Sequence, residues 1–492
     1  MTSYSSGQGG RALFVLHEPG YYRFYGSTIV EMERRGWDVV LAFDRPHKRG
    51  QELRTPAGAG AKVRSVGALP GHITEPAATL RLTLDYVRYL EPAFASSGYL
   101  RRRMGKRLPA RLRFLTRLPR LPRPIVTAAI ALGRLIERCL PVDRAVLEFV
   151  RRLEADVIVV SPVVMVGEHA GLQTEVIKAG RALGVPVIAG AASWDHLSSK
   201  GLLRVVPDAV AVWNDTQARE AESLHRIRRS RIMVTGAQSL DHWFDAPAPG
   251  AVETFRGQLG IAPGRRVILL VGSSLKMAPG DTEVRFATQW LAALRASSSP
   301  EVRDAFVIVR PHPSNTRQWQ DVDLQDPAAV ITPRGYTGMP LSDGEVEAFR
   351  QALLASSAVV GINTTAMIEA AILRRPVLTV RDASFDHSQQ ETLHFGYLSD
   401  AQNGCVMLAH SLSEHVRQLD DVLSGRGPGL DASDRFVARF VRPHGVTTPA
   451  TAHLCDAIEQ LAGHRQRARV TGHRGRPVAT DHSVALSDSR RH

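Results

Sequence analysis

Two clusters in the second half of the chain carry chemistry by residue type and position. Arg310-Pro311-His312-Pro313 follows the short apolar run Phe306–Val309, and Asn363-Thr364-Thr365 follows Ala358–Ile362. Arginine and histidine at a strand's end can hold an anion. Hydroxyl-bearing residues opening a helix add donors beside its free backbone N–H groups and the positive end of its dipole. A third cluster, Gly272-Ser273-Ser274-Leu275-Lys276, follows Arg266–Val271. Its glycine lets backbone approach a ligand, and its hydroxyls and Lys276 are donors suited to a diphosphate. Taken singly, each has a plainer reading: a helix cap, a histidine packed at a strand end, a strand-to-loop turn. Together they favour a phosphate-binding edge.

The first half has its own polar loops. His17-Glu18-Pro19-Gly20-Tyr21-Tyr22-Arg23 ends the run Arg11–His17, and Ser193-Trp194-Asp195-His196 follows Val185–Ala189. Asp195 or His196 can accept a proton from a hydroxyl. The alternative is a capping loop, with Asp195 or Ser193 at a short helix and Trp194 packed beneath.

Stepping from these residues to their supports, apolar runs of four to seven residues alternate with helical patterns along most of the chain. Strands are expected at 11–17, 37–43, 156–160, 185–189, 209–213, 231–235, 266–271, 306–309, 358–362 and 377–380. Helices are expected at 24–35, 80–99, 125–138, 142–153, 168–183, 215–225, 281–295, 366–373 and 451–461. Residues 44–75 read as a Gly/Pro-rich connection, and Asp245 to Glu253 as the linker between two α/β domains. The opening unit lacks G-x-G-x-x-G, so a dinucleotide fingerprint is not supported.

The net charge of +14 is unevenly spread. Residues 101–123 hold ten Lys/Arg and no acid, and His464–His492 have a net charge of +5, which leaves the rest of the chain at about −1. A nucleic-acid partner would want a basic face built on the fold, so none is expected. The insert suits an anionic membrane surface or, alternatively, is a solvated connector, since Pro109, Pro119, Pro122 and Pro124 forbid one long amphipathic helix. No window reads as membrane-spanning, and the first ten residues lack the apolar core of a signal peptide. Cys139, Cys405 and Cys455 are odd in number and far apart, as fits a reducing cytoplasm. Residues 1–10 and 466–492 read as disordered.

The order of motifs resembles GT-B glycosyltransferases: a strand, Arg310-x-His312-Pro313, a second strand, Asn363-Thr364-Thr365, a helix with Glu369, then Arg374-Arg375-Pro376-Val377. Bacterial surface-polysaccharide transferases and their glycerophosphotransferase relatives are closest in flavour. The resemblance implies an α/β fold of two Rossmann-like, doubly wound domains facing a cleft, the first carrying a helical basic insert at about 76–154. It implies an acceptor domain at 11–245, a nucleotide-sugar domain at 246–445, and a C-terminal helix at 446–465 returning to the first domain. The implied reaction moves a sugar from a nucleotide donor to a hydroxyl of a glycan, lipid-linked or small acceptor in cell-surface polysaccharide synthesis. Such an enzyme would be cytoplasmic, peripheral on the inner membrane face, and would need no metal or cofactor beyond its nucleotide-sugar substrate. Gly272, Ser273, Ser274, Lys276, Arg310, His312, Asn363, Thr364 and Thr365 would hold the donor, and Glu369 its ribose. Asp195, His196 or Glu18 would be the base, and His17, Tyr21, Arg23 and Trp194 would face the acceptor. A sugar-nucleotide 2-epimerase, a CDP-polyol phosphotransferase and a non-catalytic nucleotide-sugar or glycan binder of the same fold are the alternatives.

Overall fold

The computed structural model describes residues 9–44, 60–166, 171–335 and 341–473, with 464–473 as backbone alone. Seven strands, β1 (Arg11–Leu16), β2 (Asp38–Phe43), β3 (Val63–Ala68), β4 (Val157–Ser161), β5 (Val187–Gly190), β6 (Ala209–Val212) and β7 (Ile232–Val234), form the first sheet. Six more, β8 (Val267–Val271), β9 (Phe306–Arg310), β10 (Ala329–Ile331), β11 (Ala358–Gly361), β12 (Val377–Val380) and β13 (Val406–Ala409), form the second. The spatial orders are β3-β2-β1-β4-β5-β6-β7 and β10-β9-β8-β11-β12-β13. The paired strands are parallel throughout. Both orders run outward from their first strand in two directions, the doubly wound pattern of Rossmann-like domains. The order reverses between β1 and β4 and between β8 and β11. At those points the loops leaving the strands' carboxyl ends diverge and open a crevice.

Central strands are apolar throughout because helices cover both faces. Val157–Ser161 and Val267–Val271 are buried at every position. One apolar cluster runs across the junction of the domains, from Trp194, Trp213, Leu240 and Trp243 to Met367, Phe436 and Phe440.

Several expectations need correction. The connection after β2 contains β3, whose residues are mostly not buried and give no apolar run to read. The loop at 18–23 is a turn of 3-10 helix, Pro19–Phe24. The helix expected at 80–99 starts at Glu75 and ends at Val87. Single turns follow at Arg88–Leu90 and Pro92–Phe94, then a helix at Gly98–Gly105. Pro92 has no N–H to continue the ladder. The spacer before β11 holds β10 and a helix, Asp343–Ala355, opened by a reciprocal box between Ser342 and Glu345. The segment after β12 reads on into a further helix, Leu412–Leu423, behind β13. The expected start at Glu168 lies outside the described residues, and the helix there is Leu172–Leu183.

The helix Ala450–His473 returns to the first domain and runs beyond its expected end. Leu454, Cys455, Ile458 and Ala462 join the cluster of Tyr25, Ile29, Met32 and Trp37. Asp241 fixes its start: its carboxylate accepts from Arg442 Nη2 at 2.7 Å and from the backbone N–H groups of Ala450 and Thr451 at 3.0 and 2.8 Å. That carboxylate satisfies donors the first turn cannot satisfy itself. Of the disorder expected at 1–10 and 466–492, residues 466–473 instead continue the helix, and 1–8 and 474–492 lie outside the described residues.

Candidate active site at the interdomain crevice

The carboxyl ends of both sheets contribute to one cavity of about 390 Å³. From the first domain come Tyr21 and Arg23 after β1, and Ser193 and His196 after β5. From the second come Gly272 after β8, Arg310 and His312 at and after β9, and Thr364, Thr365 and Glu369 after β11. These ten residues, all singled out from sequence, therefore share one space.

The cavity wall explains several identities. In Gly272, an added Cβ would stand 2.6 Å from the backbone nitrogen of His312 and 3.1 Å from the Arg310 carbonyl oxygen. Only glycine lets the ends of β8 and β9 lie this close, with Gly272 N–H donating to Arg310 O at 2.8 Å. Arg310 is oriented by the Glu345 carbonyl, 3.1 Å away, and lies 4.7 Å over the Phe349 ring. His312 Nδ1 accepts from the Ser314 backbone N–H at 3.1 Å. Burial, with Arg23 adding to it, pulls His312 down to about 4. The neutral ring therefore carries its proton on Nε2 and is a donor there.

Arg23 is exposed to the crevice over the Phe24 ring at 4.5 Å and has no ion-pair partner among the described residues. Burial in the crevice lowers it, against the pull of Tyr21, Glu18 and Glu369. Glu369 is pushed up to about 7 by burial, with Arg23, Arg310 and Trp243 opposing. A carboxyl between two arginines that still titrates near neutrality can donate as well as accept.

His196 is buried, its Nδ1 has no partner, and burial brings it down to about 4, against the pull of Asp195. It is thus a neutral imidazole on the cavity wall, able to take a proton. Asp195 is used differently. Its oxygens accept from Ser193 and Ser199, both at 2.8 Å, and pair with Lys200 at 3.2 Å. Burial opposes its charge, but Lys200 and the neighbouring histidines hold it well below the usual carboxylate range. Asp195 does not line the cavity, and a carboxylate so held is a poor base.

Other expected residues stand elsewhere. His17 is buried in a pair with Asp44 at 3.2 Å. Glu18 precedes the 3-10 turn without capping it and is off the cavity wall. Ser273 is buried, its N–H donating to Glu283 at 2.6 Å. Ser274 is half-buried and Lys276 exposed, and neither is on the cavity wall. Desolvation by the surrounding chain lowers Lys276, and so do the charges of Lys200, Arg103 and Arg107, against the pull of Asp195. Asn363 is buried and donates to the Ser388 carbonyl at 2.6 Å. Thr365 stands at the helix N-cap, but its side chain makes no cap bond. Its Oγ1 instead accepts from Trp194 Nε1 across the domain junction at 3.2 Å. Trp194 is buried there, edge-on to His394 of the second domain. The helix after Thr365 spans seven residues, too short to supply much of a dipole.

Phe24, His242, Trp243 and Phe349 line the cavity and were not singled out. The Ser342-x-x-Glu345 pattern would have revealed the helix that carries Phe349. Among the described residues no group of three His, Cys, Asp or Glu could hold a metal, and no helix is long and apolar enough to cross a membrane.

No protein-family model matches the chain, and no curated protein matches it. Solved structures similar to it include a glycosyltransferase from Rickettsia africae ESF-5, with 9% identity, TM-score 0.49, and 92% and 99% of the two chains covered. A UDP-GlcNAc 2-epimerase from Neisseria meningitidis bound to UDP-GlcNAc is similar at 11% identity and TM-score 0.49, covering 92% and 100%. The wall teichoic acid polymerase TagF is similar at 10% and 0.48, covering 94% and 91%. The similar structures thus include glycosyltransferases and 2-epimerases, as the resemblance implied. Sheet order, not likeness at these scores, defines the fold.

Proposed function

We propose that this chain transfers a sugar from a nucleotide-sugar donor to a hydroxyl of a glycan, lipid-linked or small acceptor. Residues 11–245 would form the acceptor domain and 246–445 the donor domain. The observation that carries the reading is the convergence of Arg310, His312 and Arg23, with Glu369 among them, in a crevice built from both domains' switch points. Two guanidinium groups and a neutral N–H donor suit a diphosphate that gains charge as it leaves. His196 would take the acceptor's proton as its oxygen bonds to the anomeric carbon and the carbon–phosphate-oxygen bond breaks. The nucleoside diphosphate would depart onto Arg310, Arg23 and His312. Glu369 would hold a ribose hydroxyl. The positive charges of Lys200, Arg103 and Arg107, close enough to act on Lys276, would favour an acidic acceptor.

The test is incubation with UDP-, GDP-, dTDP- and CMP-linked donors, with and without glycan and lipid-linked acceptors, following the nucleotide released. Diphosphate released only with acceptor supports the proposal. Monophosphate released from a diphosphate-linked donor would assign a phosphotransferase, a new sugar isomer an epimerase, and tight binding without turnover a non-catalytic binder.

A further inference from the structure

The helix Arg123–Cys139 is apolar on both its buried and its exposed side. Two of its charged side chains turn inward, while Arg123 and Arg138 stay exposed: Glu137 is buried and pairs with Arg81 at 2.6 Å and Lys178 at 3.3 Å. Arg134 donates to the carbonyl oxygens of Leu203 and His225, both at 2.6 Å. The inner stripe is Val126, Ile130, Gly133 and Glu137. Gly133 lies so near the helix Glu75–Val87 that an added Cβ would stand 2.3 Å from Leu84 Cδ2.

The outer stripe repeats at the same helical spacing and faces solvent: Ile125, Ala128, Leu132, Leu135 and Cys139, with Ile136 beside it. Ile125 is 52% exposed, Leu132 59%, Leu135 56% and Ile136 45%. An ordinary surface helix puts its charges on this side. A contiguous exposed apolar face of this kind marks a contact surface.

The surroundings say what covers it. From Pro92 to Val142 the sequence holds twelve Lys/Arg and one acid, the buried Glu137. In the segment leading into the helix, Lys106, Arg113 and Arg117 are exposed and meet no carboxylate among the described residues. Arg101 and Arg120 donate to neutral backbone carbonyls, which leaves their charge uncancelled. Phe114, also exposed, stands among these cations. A second copy of the chain would bring two basic inserts together, and residues 464–492 carry a net +5 of their own, so both are repelled. An anionic lipid surface is complementary in charge and accepts shallow apolar side chains.

We infer that the outer face of this helix and its basic approach dock the protein on an anionic phospholipid bilayer, lying on it without spanning it. This stands independently of what the crevice transfers.

The chain carries a reporter in place. Cys139 is exposed on the stripe, while Cys405 and Cys455 are buried. A thiol-reactive, environment-sensitive dye will therefore read the stripe's surroundings. The full-length protein should sediment with vesicles of phosphatidylcholine and phosphatidylglycerol, and not with phosphatidylcholine alone. Binding should fall as salt rises, and the dye should shift to the blue only on the anionic vesicles. Replacing Lys106, Arg113 and Arg117 by Gln should weaken binding about fivefold per charge. The combined variant Leu132→Ser, Leu135→Ser, Ile136→Ser removes exposed side chains, so its melting temperature should hold while vesicle binding drops at least about tenfold. Equal binding to neutral vesicles, no binding to anionic ones, or full binding by the serine variant overturns the inference. So does a dimer in solution that the serine variant dissociates, which would make the face an interface between copies. The donor-turnover assay reads the crevice separately, so neither result decides the other.

Discussion

Tyr397 donates its phenolic hydrogen to Glu220 Oε1 at 2.7 Å, joining helix Leu393–Ser399 of the second domain to helix Asp215–His225 of the first. Glu220 is buried, and burial pushes it up to about 7 against the opposing pull of Tyr397, Arg88 and Ser198. Between its ordinary value of 4.5 and about 7 the folded chain holds a proton here that the unfolded chain has released. This group's contribution is therefore fully present below the ordinary value and lost as pH rises through about 7. Glu220→Gln should gain on the wild type by on the order of 1–3 kcal/mol as pH rises through that window. Burial pushes Glu369 and Glu283 the same way, whereas it lowers His196, His312, His394 and His415 to about 4 and so favours folding at higher pH. The difference between wild type and variant, measured by calorimetry across pH, isolates Glu220. Parallel curves would refute the account.

Donor binding should depend on His312 more than stability does. His312→Ala and Thr364→Ala remove donors at strand mouths, not core atoms. Losing one bond to a charged phosphate costs about 1.5–3 kcal/mol. Titration calorimetry should show nucleotide affinity falling at least about tenfold for His312→Ala with the melting temperature nearly unchanged. Wild-type affinity in both variants would remove these residues from the donor site.

His196 and Asp195 should separate cleanly. His196→Asn should abolish transfer and leave nucleotide binding intact. Asp195→Asn should chiefly loosen the Ser193–Lys200 loop and lower the melting temperature. Because His196 titrates at about 4, the acid limb of kcat/KM should lie well below the ordinary imidazole value. Transfer surviving in His196→Asn would end its role as base.

Gly272→Ala tests the close approach of β8 and β9. The methyl would meet backbone, which cannot swing aside, so about 1–3 kcal/mol of stability should be lost together with donor affinity. Gly257→Ala is the control: it lies within helix Ala251–Gln258 with nothing within 4 Å of the new atom. It should be neutral or stabilise by up to about 1 kcal/mol. Equal effects at both positions would contradict the geometry.

The sheets were legible wherever strands are buried on both faces, because an apolar run such as Val267–Val271 has no other use. β3 and β10 were not, since neither is buried along its length and neither forms such a run. Arg310, His312 and Gly272 were legible because strand ends announce themselves by position. Asn363 and Asp195 looked equally suitable, yet each is turned to a structural partner, the Ser388 carbonyl and the Ser193–Ser199–Lys200 set, while Ser273 is buried with only its backbone N–H engaged, by Glu283. Residue type alone does not reveal which way a side chain points. The aromatic wall, Trp243 and Phe349, comes from elements remote in sequence, and only tertiary packing assembles it.

The returning helix Ala450–His473 has a consequence for synthesis. Tyr25, Ile29 and Met32 are made long before the apolar cover supplied by Leu454, Cys455 and Ile458. While the ribosome is still building the second domain, one side of the first sheet's helical layer stays bare. The two halves therefore cannot mature in strict succession as independent units. The first is finished only when the helix Ala450–His473 emerges and Asp241 receives its start.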